Sequence, residues 1–266
     1  MKKIVILTSN GLRHTFLRKA IALDKNIIVL RSYCEKHSSQ IYNYANNVLQ
    51  IKHLQTRELC EEDFFGNFVK LTQDKSNPCF IEKDEINKSD RVDEIIGLNP
   101  DLIIAYGCSI IKEKLLNYFE NKIINVHLGL SPYYRGSGTN YFPFMNNELE
   151  FVGATFMYMD NSIDTGDIIH QIRARIYEND TLHQIGNRLI GDVAKTYIKI
   201  INNFEKLEKI SQPKDKKSGR LYKNKDFTKE SLEQIYSNFK NGMIENYLQN
   251  KKEIILYQNP FFLLKD

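Results

Sequence analysis

The chain has 266 residues, of which 42% are hydrophobic and 26% are charged. This length and composition suit one α/β domain with an appendage, or two small domains, and allow a sizeable buried core. The net charge of +4 is too mild to imply a nucleic-acid partner by itself.

The N-terminal segment MKKIVILTSNG contains a short apolar run, IVIL, after two lysines. The run is shorter than the apolar region of a signal peptide and is typical of a first buried strand. No segment approaches the roughly 18 consecutive apolar residues of a membrane span. We therefore expect a cytoplasmic protein with no membrane partner.

The following segments alternate between apolar strands and amphipathic helices. Strands are predicted over residues 3–7, 26–33, 101–107 and 122–127. Helices are predicted over about 13–23, 41–49, 59–71, 89–100 (with Ser89 as a candidate N-cap) and 111–119. Strands that alternate with helices across short connections predict an α/β fold, a Rossmann-like, doubly wound and mostly parallel sheet.

The pattern changes after residue 150. Two strand-like runs, 151–160 and 166–176, flank NSIDT and predict a hairpin. A long helix follows over 181–207, capped by Asp180 or Thr181. A lysine-rich link and a mostly helical tail come after Pro213. We therefore divide the chain into a core domain, 1–210, and a short C-terminal extension, 211–266.

Several common catalytic motifs are absent from the sequence. There is no dinucleotide-binding G-x-G-x-x-G and no P-loop, and neither Ser109 nor Ser131 has the second glycine of a hydrolase nucleophile elbow. The four cysteines form no C-x-x-C pair, so we expect no metal. The turn SNGLRH either places Arg13 near an anion at a helix N-terminus or is a plain turn.

A polar set remains at the end of the strand KIINVH and in the turn NSIDTGD. Asn125 and His127 leave the strand on the same side, because strand side chains alternate. An amide and a protonated imidazole can donate to an oxyanion, and a carboxylate such as Asp164 can orient the imidazole or accept an amine proton. The alternative is that all three are ordinary polar residues at a sheet edge and in a turn.

The segment from INVHLGLSPYYRGSG to NSIDTGDII closely resembles the signature of the 10-formyltetrahydrofolate-dependent formyltransferases. The resemblance is strong over about 100–176 and diffuse over 1–99. The positions that match the family pattern are Asn125, His127, Pro132, Tyr134, Arg135, Gly136, Asp164 and Gly166.

This resemblance implies a direct formyl transfer from 10-formyltetrahydrofolate to an amine, without a metal. Asn125, His127 and Asp164 would be the catalytic residues, which stabilise the tetrahedral intermediate and move protons. The residues expected to bind the folate are Tyr106, Gly107, Ser109, Ile110, Gly129, Leu130, Ser131, Pro132 and Asp160. Those expected near the acceptor are Tyr134, Arg135, Gly136, Thr139 and Tyr141. The chain departs from the family pattern at Gly129, where a serine is usual.

The acceptor is expected to be a nucleotide-linked amino sugar, because the chain most resembles the sugar N-formyltransferases of bacterial surface-polysaccharide (lipopolysaccharide) pathways. Methionyl-tRNA formyltransferases carry a C-terminal β-barrel, whereas the segment 231–249 here is predicted to be helical. We therefore expect no nucleic-acid partner. A methionyl-tRNA or other small-amine formyltransferase stays open as an alternative, as does a non-catalytic folate-binding homologue. The sequence leaves open whether the chain is a monomer or a homodimer.

Overall fold

The computed structural model describes residues 1–36, 40–160, 164–213 and 219–263. The first half contains, in order, β1 Lys2–Ser9, α1 Leu12–Ala22, β2 Ile27–Glu35, α2 Val48–Leu71, β3 Pro78–Ile81, α3 Ser89–Gly97, β4 Leu102–Tyr106, α4 Glu113–Tyr118 and β5 Ile123–His127. The second half contains β6 Tyr134–Gly136, α5 Phe142–Met145, β7 Gly153–Tyr158, β8 Ile168–Arg173, α6 Leu182–Asn203, β9 Arg220–Tyr222, α7 Lys229–Lys240, α8 Met243–Gln249 and α9 Pro260–Leu263.

Seven strands form one sheet in the order β3-β2-β1-β4-β5-β7-β8. Strands β1 to β5 are parallel, whereas β7 runs antiparallel to β5 and β8 antiparallel to β7. The two short strands β6 and β9 pair separately in parallel. The prediction of a doubly wound, mostly parallel α/β sheet with a helical C-terminal part is confirmed.

The central strand β1 explains why both faces of the sheet carry helices. Ile4 and Ile6 belong to the same core cluster as Leu17 of α1. Val5 and Leu7 point to the opposite face and share a second cluster with residues of α3 and α4. Because strand side chains alternate, a continuous apolar run must be covered on both sides.

The sheet order brings three strand ends together. The connection from β1 leads to β2 on one side, and β4 lies on the other side of β1. Ligands of open α/β sheets bind at such a switch point, beyond the carboxyl ends of the strands. The C-terminal ends of β1, β4 and β5 therefore mark where a site is expected.

Three local predictions differ from the structure. Residues 41–49 do not form a helix of their own: a 3-10 turn at Gln40–Tyr44 precedes the single long helix α2, whose N-cap is Asn47. Ser89 is the first residue of α3 and not its cap. The predicted helix 231–249 is divided by Gly242, which adopts a left-handed φ of 76°.

Other expectations were met or fall outside the described ranges. Of the two candidate caps of α6, Thr181 is the cap, and its side chain accepts a hydrogen bond from the Gln184 N–H. Residues 161–163 of the turn NSIDTGD and 214–218 of the lysine-rich link lie outside the described residues. Within the described part of the chain, no helix has the length and apolarity needed to cross a membrane.

Candidate active site

The imidazole of His127 and the carboxylate of Asp164 meet at the end of β5. The His127 Nδ1 atom lies 3.4 Å from Asp164 Oδ2, and both side chains are largely buried. Asp164 adopts a left-handed φ of 54°, a conformation that aspartate tolerates better than most residues. The predicted pairing of the strand-end histidine with the carboxylate of the Asp-x-Gly turn therefore holds in the structure.

Close steric contact explains why glycine occupies position 166 of that turn. A Cβ atom at Gly166 would lie 1.8 Å from the Tyr158 carbonyl oxygen, so only glycine fits there. The side chain of Gln212 donates to the carbonyls of Asp164 and Gly166, at 3.2 and 2.7 Å. These contacts hold the turn against the core and fix where the carboxylate points.

Both ring nitrogens of His127 face acceptors. Nε2 lies 3.0 Å from the Tyr134 carbonyl oxygen, which can only accept, so Nε2 carries a proton and donates it. Nδ1 faces the Asp164 carboxylate at a distance longer than a good hydrogen bond. The two acceptors therefore fix the orientation of the ring.

Asn125 lies two residues before His127 on the same strand and the same face. Its side chain is half-buried, and it makes no hydrogen bond to any residue in the described ranges. Its amide is therefore available to a ligand at the position where the sequence predicts an oxyanion donor. The catalytic assignment of Asn125, His127 and Asp164 stays a prediction.

Polar side chains of β7 and β8 form hydrogen bonds with the backbone of the loop after β5. Thr155 accepts a hydrogen bond from the Ser131 N–H at 3.0 Å and donates to the Gly129 carbonyl at 2.7 Å. Gln171 donates to the Ser131 carbonyl at 2.6 Å. The Ser131–Pro132 peptide is cis. Leu130 and Ser131 are fully buried, and their assignment to a folate site stays a prediction.

The departure at Gly129 has a local explanation. A Cβ atom at this position would lie 2.6 Å from His127 Nε2 and 2.7 Å from the Thr139 Cβ. The Thr139 hydroxyl donates to the Leu128 carbonyl and closes the space. A serine hydroxyl would therefore not fit beside the imidazole in this structure.

The turn after β4 and the end of β7 contain the other predicted folate residues. Gly107 adopts a left-handed φ of 64°, and Ser109 donates its N–H to Glu35 at 2.6 Å. The Ile110 side chain is exposed. The Asp160 carboxylate is half-buried and accepts from the Thr165 hydroxyl at 2.9 Å. An exposed apolar edge and a carboxylate suit a flat heterocycle with N–H donors.

The residues predicted near the acceptor divide into two groups. Tyr134 and Tyr141 are engaged with the protein: the Tyr141 hydroxyl is 2.7 Å from the Ser231 hydroxyl, and Tyr134 is almost fully buried. Arg135 is also buried, but its guanidinium has no hydrogen-bond or carboxylate partner among the residues that the structure describes. Their binding roles stay predictions.

The Tyr134 hydroxyl is the centre of a network that the sequence did not reveal. It donates to Glu148 and accepts from Asn146 at 2.8 Å and from Arg220 at 2.6 Å. Burial and the Glu148 carboxylate together raise the pKa of Tyr134. The link between Glu148 and Arg220 spans 72 positions of the chain, so no local motif could indicate it.

Two arginines lie near the ends of β1 and β4 and share one carboxylate. Arg13 is 3.5 Å and Arg57 is 3.8 Å from Glu61. Next to them, Tyr106 ends β4 with a buried hydroxyl that has no hydrogen-bond partner in the described ranges. The cluster therefore offers two guanidinium groups and an unpaired hydroxyl, which are groups that the anion interpretation of the SNGLRH turn needs.

A cavity of about 610 Å³ lies between α5, β9 and α7. Its walls combine apolar and polar side chains: Phe142, Met145, Asn146, Leu221, Tyr222, Asp226, Thr228, Glu230, Ser231 and Gln234. It adjoins the His127 and Asp164 region, because Tyr222 pairs in register with Gly136, and the Gly136 N–H donates to Asp164 Oδ2 at 3.0 Å. In the described part of the chain, no group of three or more histidine, cysteine or acidic residues could hold a metal ion.

The sequence of this chain matches one protein family and is similar to several methionyl-tRNA formyltransferases. The family described as Formyl transferase matches residues 30–201. The methionyl-tRNA formyltransferase of Finegoldia magna is 27% identical over 234 residues, which cover 85% of this chain and 72% of the relative. That of Halalkalibacterium halodurans is 30% identical over 167 residues, or 62% and 52% of the two chains. For the Desulforamulus reducens enzyme, 38% identity extends over only 32% of the relative.

Solved structures share the fold at lower identity. PseJ of Anoxybacillus kamchatkensis, in complex with UDP-4,6-dideoxy-4-formamido-L-AltNAc and tetrahydrofolate, aligns over 88% of this chain and 97% of its own, with 22% identity and a TM-score of 0.50. Phosphoribosylglycinamide formyltransferase of Anaplasma phagocytophilum aligns over 83% and 98%, with 16% identity and a TM-score of 0.56. A sugar N-formyltransferase of Shewanella aligns over 85% and 78%, with 19% identity and a TM-score of 0.54.

Proposed function

This chain belongs to the formyl transferase family, whose members use a formyl-tetrahydrofolate donor, and we propose that its acceptor is the amine of a nucleotide-linked amino sugar. The observation that carries the choice of acceptor is the 610 Å³ open cavity whose lining includes Tyr222, the strand partner of Gly136, whose N–H in turn donates to Asp164. Its volume lies in the range of small-molecule pockets. We also propose that residues 1–210 form the catalytic domain and that residues 211–266 are an extension that lines part of the acceptor-binding site.

The reaction that fits this site is direct attack of the amine on the formyl carbon: the new C–N bond forms, the bond from the formyl carbon to the folate nitrogen breaks, and that nitrogen gains a proton as the amine loses one. 10-Formyltetrahydrofolate supplies the formyl group. The Asn125 amide donates a hydrogen bond to the formyl oxygen as it gains negative charge, and the His127 imidazole lies beside it on the same strand face. The Asp164 carboxylate accepts the proton that the amine releases, directly or through water, and the imidazole next to it helps to move that proton.

The donor would be held by the turn after β4 and by Asp160. The backbone of Gly107, the Tyr106 and Ser109 positions and the exposed Ile110 side chain would line the flat pterin ring. The Asp160 carboxylate would accept from its N–H groups. The turn after β4 lies at the sheet edge that also carries His127, because β4 and β5 are parallel, whereas the end of β7 pairs with Ile124 near the start of β5.

The arginine cluster supports an acceptor that carries phosphate. Arg13 and Arg57 share the Glu61 carboxylate at 3.5 and 3.8 Å, distances that leave guanidinium N–H groups able to donate to a phosphate oxygen. The N-terminus of α1, at Leu12, adds backbone N–H groups near the same place. A diphosphate between this cluster and the cavity would position the sugar amine in front of Asp164.

The cavity chemistry favours a sugar nucleotide over a tRNA. Asp226 and Glu230 can accept hydrogen bonds from ribose or sugar hydroxyls, and Gln234 and Asn146 can pair with a base. The net charge of +4 points the same way.

Methionyl-tRNA is the second candidate acceptor, because the curated relatives named above are methionyl-tRNA formyltransferases. The deciding experiment incubates the protein with 10-formyltetrahydrofolate and two kinds of acceptor in parallel. One arm is a panel of nucleotide-linked amino sugars, and the other is initiator methionyl-tRNA at physiological salt. Mass spectrometry detects the formyl group on each acceptor.

We expect formylation of at least one nucleotide-linked amino sugar and poor formylation of the tRNA. Efficient transfer to methionyl-tRNA with none to the sugars would overturn the proposed acceptor while leaving the transfer chemistry intact. Tight folate binding without turnover on any amine would instead indicate a non-catalytic folate-binding protein. The variant His127→Ala serves as the background control in both arms.

A further inference from the structure

We propose that Arg220 and Glu148 are positioning residues for formyl transfer: through β6 they set the orientation of His127 and Asp164. Neither side chain contacts His127 or Asp164. The proposal rests on these two residues being the catalytic pair of the proposed function, but it does not depend on which amine is the acceptor.

Strand β6 contacts both catalytic side chains through its backbone. The Tyr134 carbonyl accepts from His127 Nε2 at 3.0 Å, and the Gly136 N–H donates to Asp164 Oδ2 at 3.0 Å. Residues two apart on one short strand therefore fix the tautomer of the imidazole and the direction of the carboxylate. Any rotation of β6 changes both contacts at once.

Strand β6 has only three residues and cannot hold this orientation alone. Its pairing partner is β9, which joins β6 from 84 or more positions further along the chain, with Tyr134 opposite Arg220. The ladder is closed by the Arg220 N–H to the Tyr133 carbonyl at 2.8 Å and the Ser137 N–H to the Tyr222 carbonyl at 2.9 Å. An isolated two-stranded pair is marginally stable in water, so further contacts are needed.

The Arg220 and Glu148 side chains supply those contacts. The Arg220 guanidinium donates to both Glu148 oxygens, one at 3.0 Å, and also to the Tyr134 hydroxyl at 2.6 Å. The Tyr134 hydroxyl in turn donates to Glu148. Although partial burial opposes it, the hydrogen bonds from Arg220 and Tyr134 lower the pKa of Glu148. The carboxylate therefore stays ionised, and its bonds are charge-assisted.

Tyr134 connects the Arg220–Glu148 pair to the catalytic histidine. The ring is 1% exposed, so its position is determined by packing and by the hydroxyl network. Its carbonyl is the acceptor for His127 Nε2. When the Arg220–Glu148 pair is broken, we expect the Tyr134 carbonyl to turn away from the imidazole. The ring would then lose one of the two acceptors that fix its orientation.

The test compares matched arginine variants. Arg220→Met removes the guanidinium but keeps the length of the side chain, and Glu148→Gln keeps the shape of its partner. Arg175→Met is the control, because Arg175 makes a similar two-bond pair with Asp192, at 2.9 and 3.0 Å. The two arginine side chains are also equally exposed, at 50% and 52%. Thermal unfolding of each variant shows whether it folds.

Two measurements separate positioning from mere structural support. Nitrogen NMR of the His127 ring, titrated across neutral pH, reports its tautomer and protonation and needs no acceptor. We expect Arg220→Met and Glu148→Gln to lose the Nε2–H signature, because the Tyr134 carbonyl no longer accepts from it, whereas Arg175→Met matches wild type. With an acceptor in hand, we expect kcat to fall about 10- to 100-fold with little change in KM.

Partial recovery in Arg220→Lys would support the proposal, because lysine can still pair with Glu148 as a point charge. Folded Arg220→Met and Glu148→Gln proteins with a wild-type His127 spectrum would overturn it. So would a loss of kcat equal to that of Arg175→Met. A change in the His127 spectrum would support the proposal even if no amino sugar proves to be the acceptor, so its failure and that of the proposed function are distinct.

Discussion

The surroundings of His127 are the residue-scale feature on which the proposed chemistry most depends. A carbonyl and a carboxylate face its two ring nitrogens, at 3.0 and 3.4 Å. Asp164→Asn keeps the shape and the bond to the Gly136 N–H but removes the charge. We expect the catalytic rate to fall much more than substrate binding.

Rate measured against pH for wild type and Asp164→Asn checks this prediction. Asp160→Asn is the comparison, because Asp160 lies in the predicted folate site and should affect the KM for the donor. Profiles of equal height and position for wild type and Asp164→Asn would show that Asp164 is only a turn residue.

Asn125 carries the second residue-scale prediction. Its amide has no partner in the described ranges, so Asn125→Ala should leave the fold and the folate affinity nearly unchanged. Loss of one oxyanion donor should lower kcat by about 100- to 1,000-fold. Single-turnover rates and equilibrium folate binding, measured on the same sample, check both parts. A near-normal rate on the true acceptor would contradict the assignment.

The third residue-scale prediction concerns Gly129. Gly129→Ala places a Cβ 2.6 Å from His127 Nε2 and should displace the imidazole from the Tyr134 carbonyl. We expect kcat to fall by at least about 10-fold, because small displacements of catalytic groups are costly. Gly186→Ala is the control, since its Cβ would have no neighbour within 4 Å. Equal activity of the two variants would show that the loop yields without moving the histidine.

At the scale of elements, helix α7 attaches the C-terminal extension to the core. Leu232 is fully buried in a small cluster with Leu54 of α2 and Phe227. Leu232→Ala should lower the free energy of unfolding by about 2–5 kcal/mol. Leu221→Ala is the matched control, because Leu221 is 57% exposed and lines the cavity.

Denaturant unfolding and acceptor kinetics together check this prediction. Leu221→Ala should keep the wild-type stability but weaken acceptor binding, the opposite of the pattern for Leu232→Ala. If Leu232→Ala unfolds at the wild-type denaturant concentration, the extension contributes little to the stability of the domain.

Sequence reasoning located β2, β7 and β8 as well as the strands with continuous apolar runs. β1, β4 and β5 are such runs, and their burial on both faces follows from helices on both sides of the sheet. β6 and β9 were not predicted, because three residues have no period and their pairing joins Tyr134 to Arg220 across 86 positions. The site shows the same limit, because contacts between residues far apart in the chain leave no local sequence pattern. The family motif indicated His127 and Asp164, whereas their support by Arg220 depends on tertiary contact.

At the scale of the whole molecule, buried histidines predict acid sensitivity. The His53 and His183 rings of α2 and α6 lie 4.7 Å apart, and His53 Nδ1 is 3.0 Å from the Tyr236 hydroxyl of α7. Burial lowers the pKa of His53 to about 3 and that of His183 to about 4. Burial likewise lowers the pKa of His170, beside the C-terminal segment, to about 4.

These groups are neutral when folded and take up protons when unfolded, so stability is lost as pH falls below the ordinary value of 6.5. Each histidine steepens that loss by up to about 1.4 kcal/mol per pH unit until its folded pKa is reached. Unfolding free energies measured at several pH values between neutrality and pH of about 4 check the slope. The double variant His53→Gln, His183→Gln should have a shallower slope, and an unchanged slope would contradict this account.

The late position of β9 in the chain has a consequence for synthesis. Proteins emerge from the ribosome N-terminus first, and domains fold as their residues become available. All seven strands of the main sheet precede residue 174, but the partner of β6 arrives only with Arg220–Tyr222. If β9 is what aligns His127, a nascent chain can have a complete sheet and still be catalytically silent. Activity would then begin only after translation has passed Tyr222.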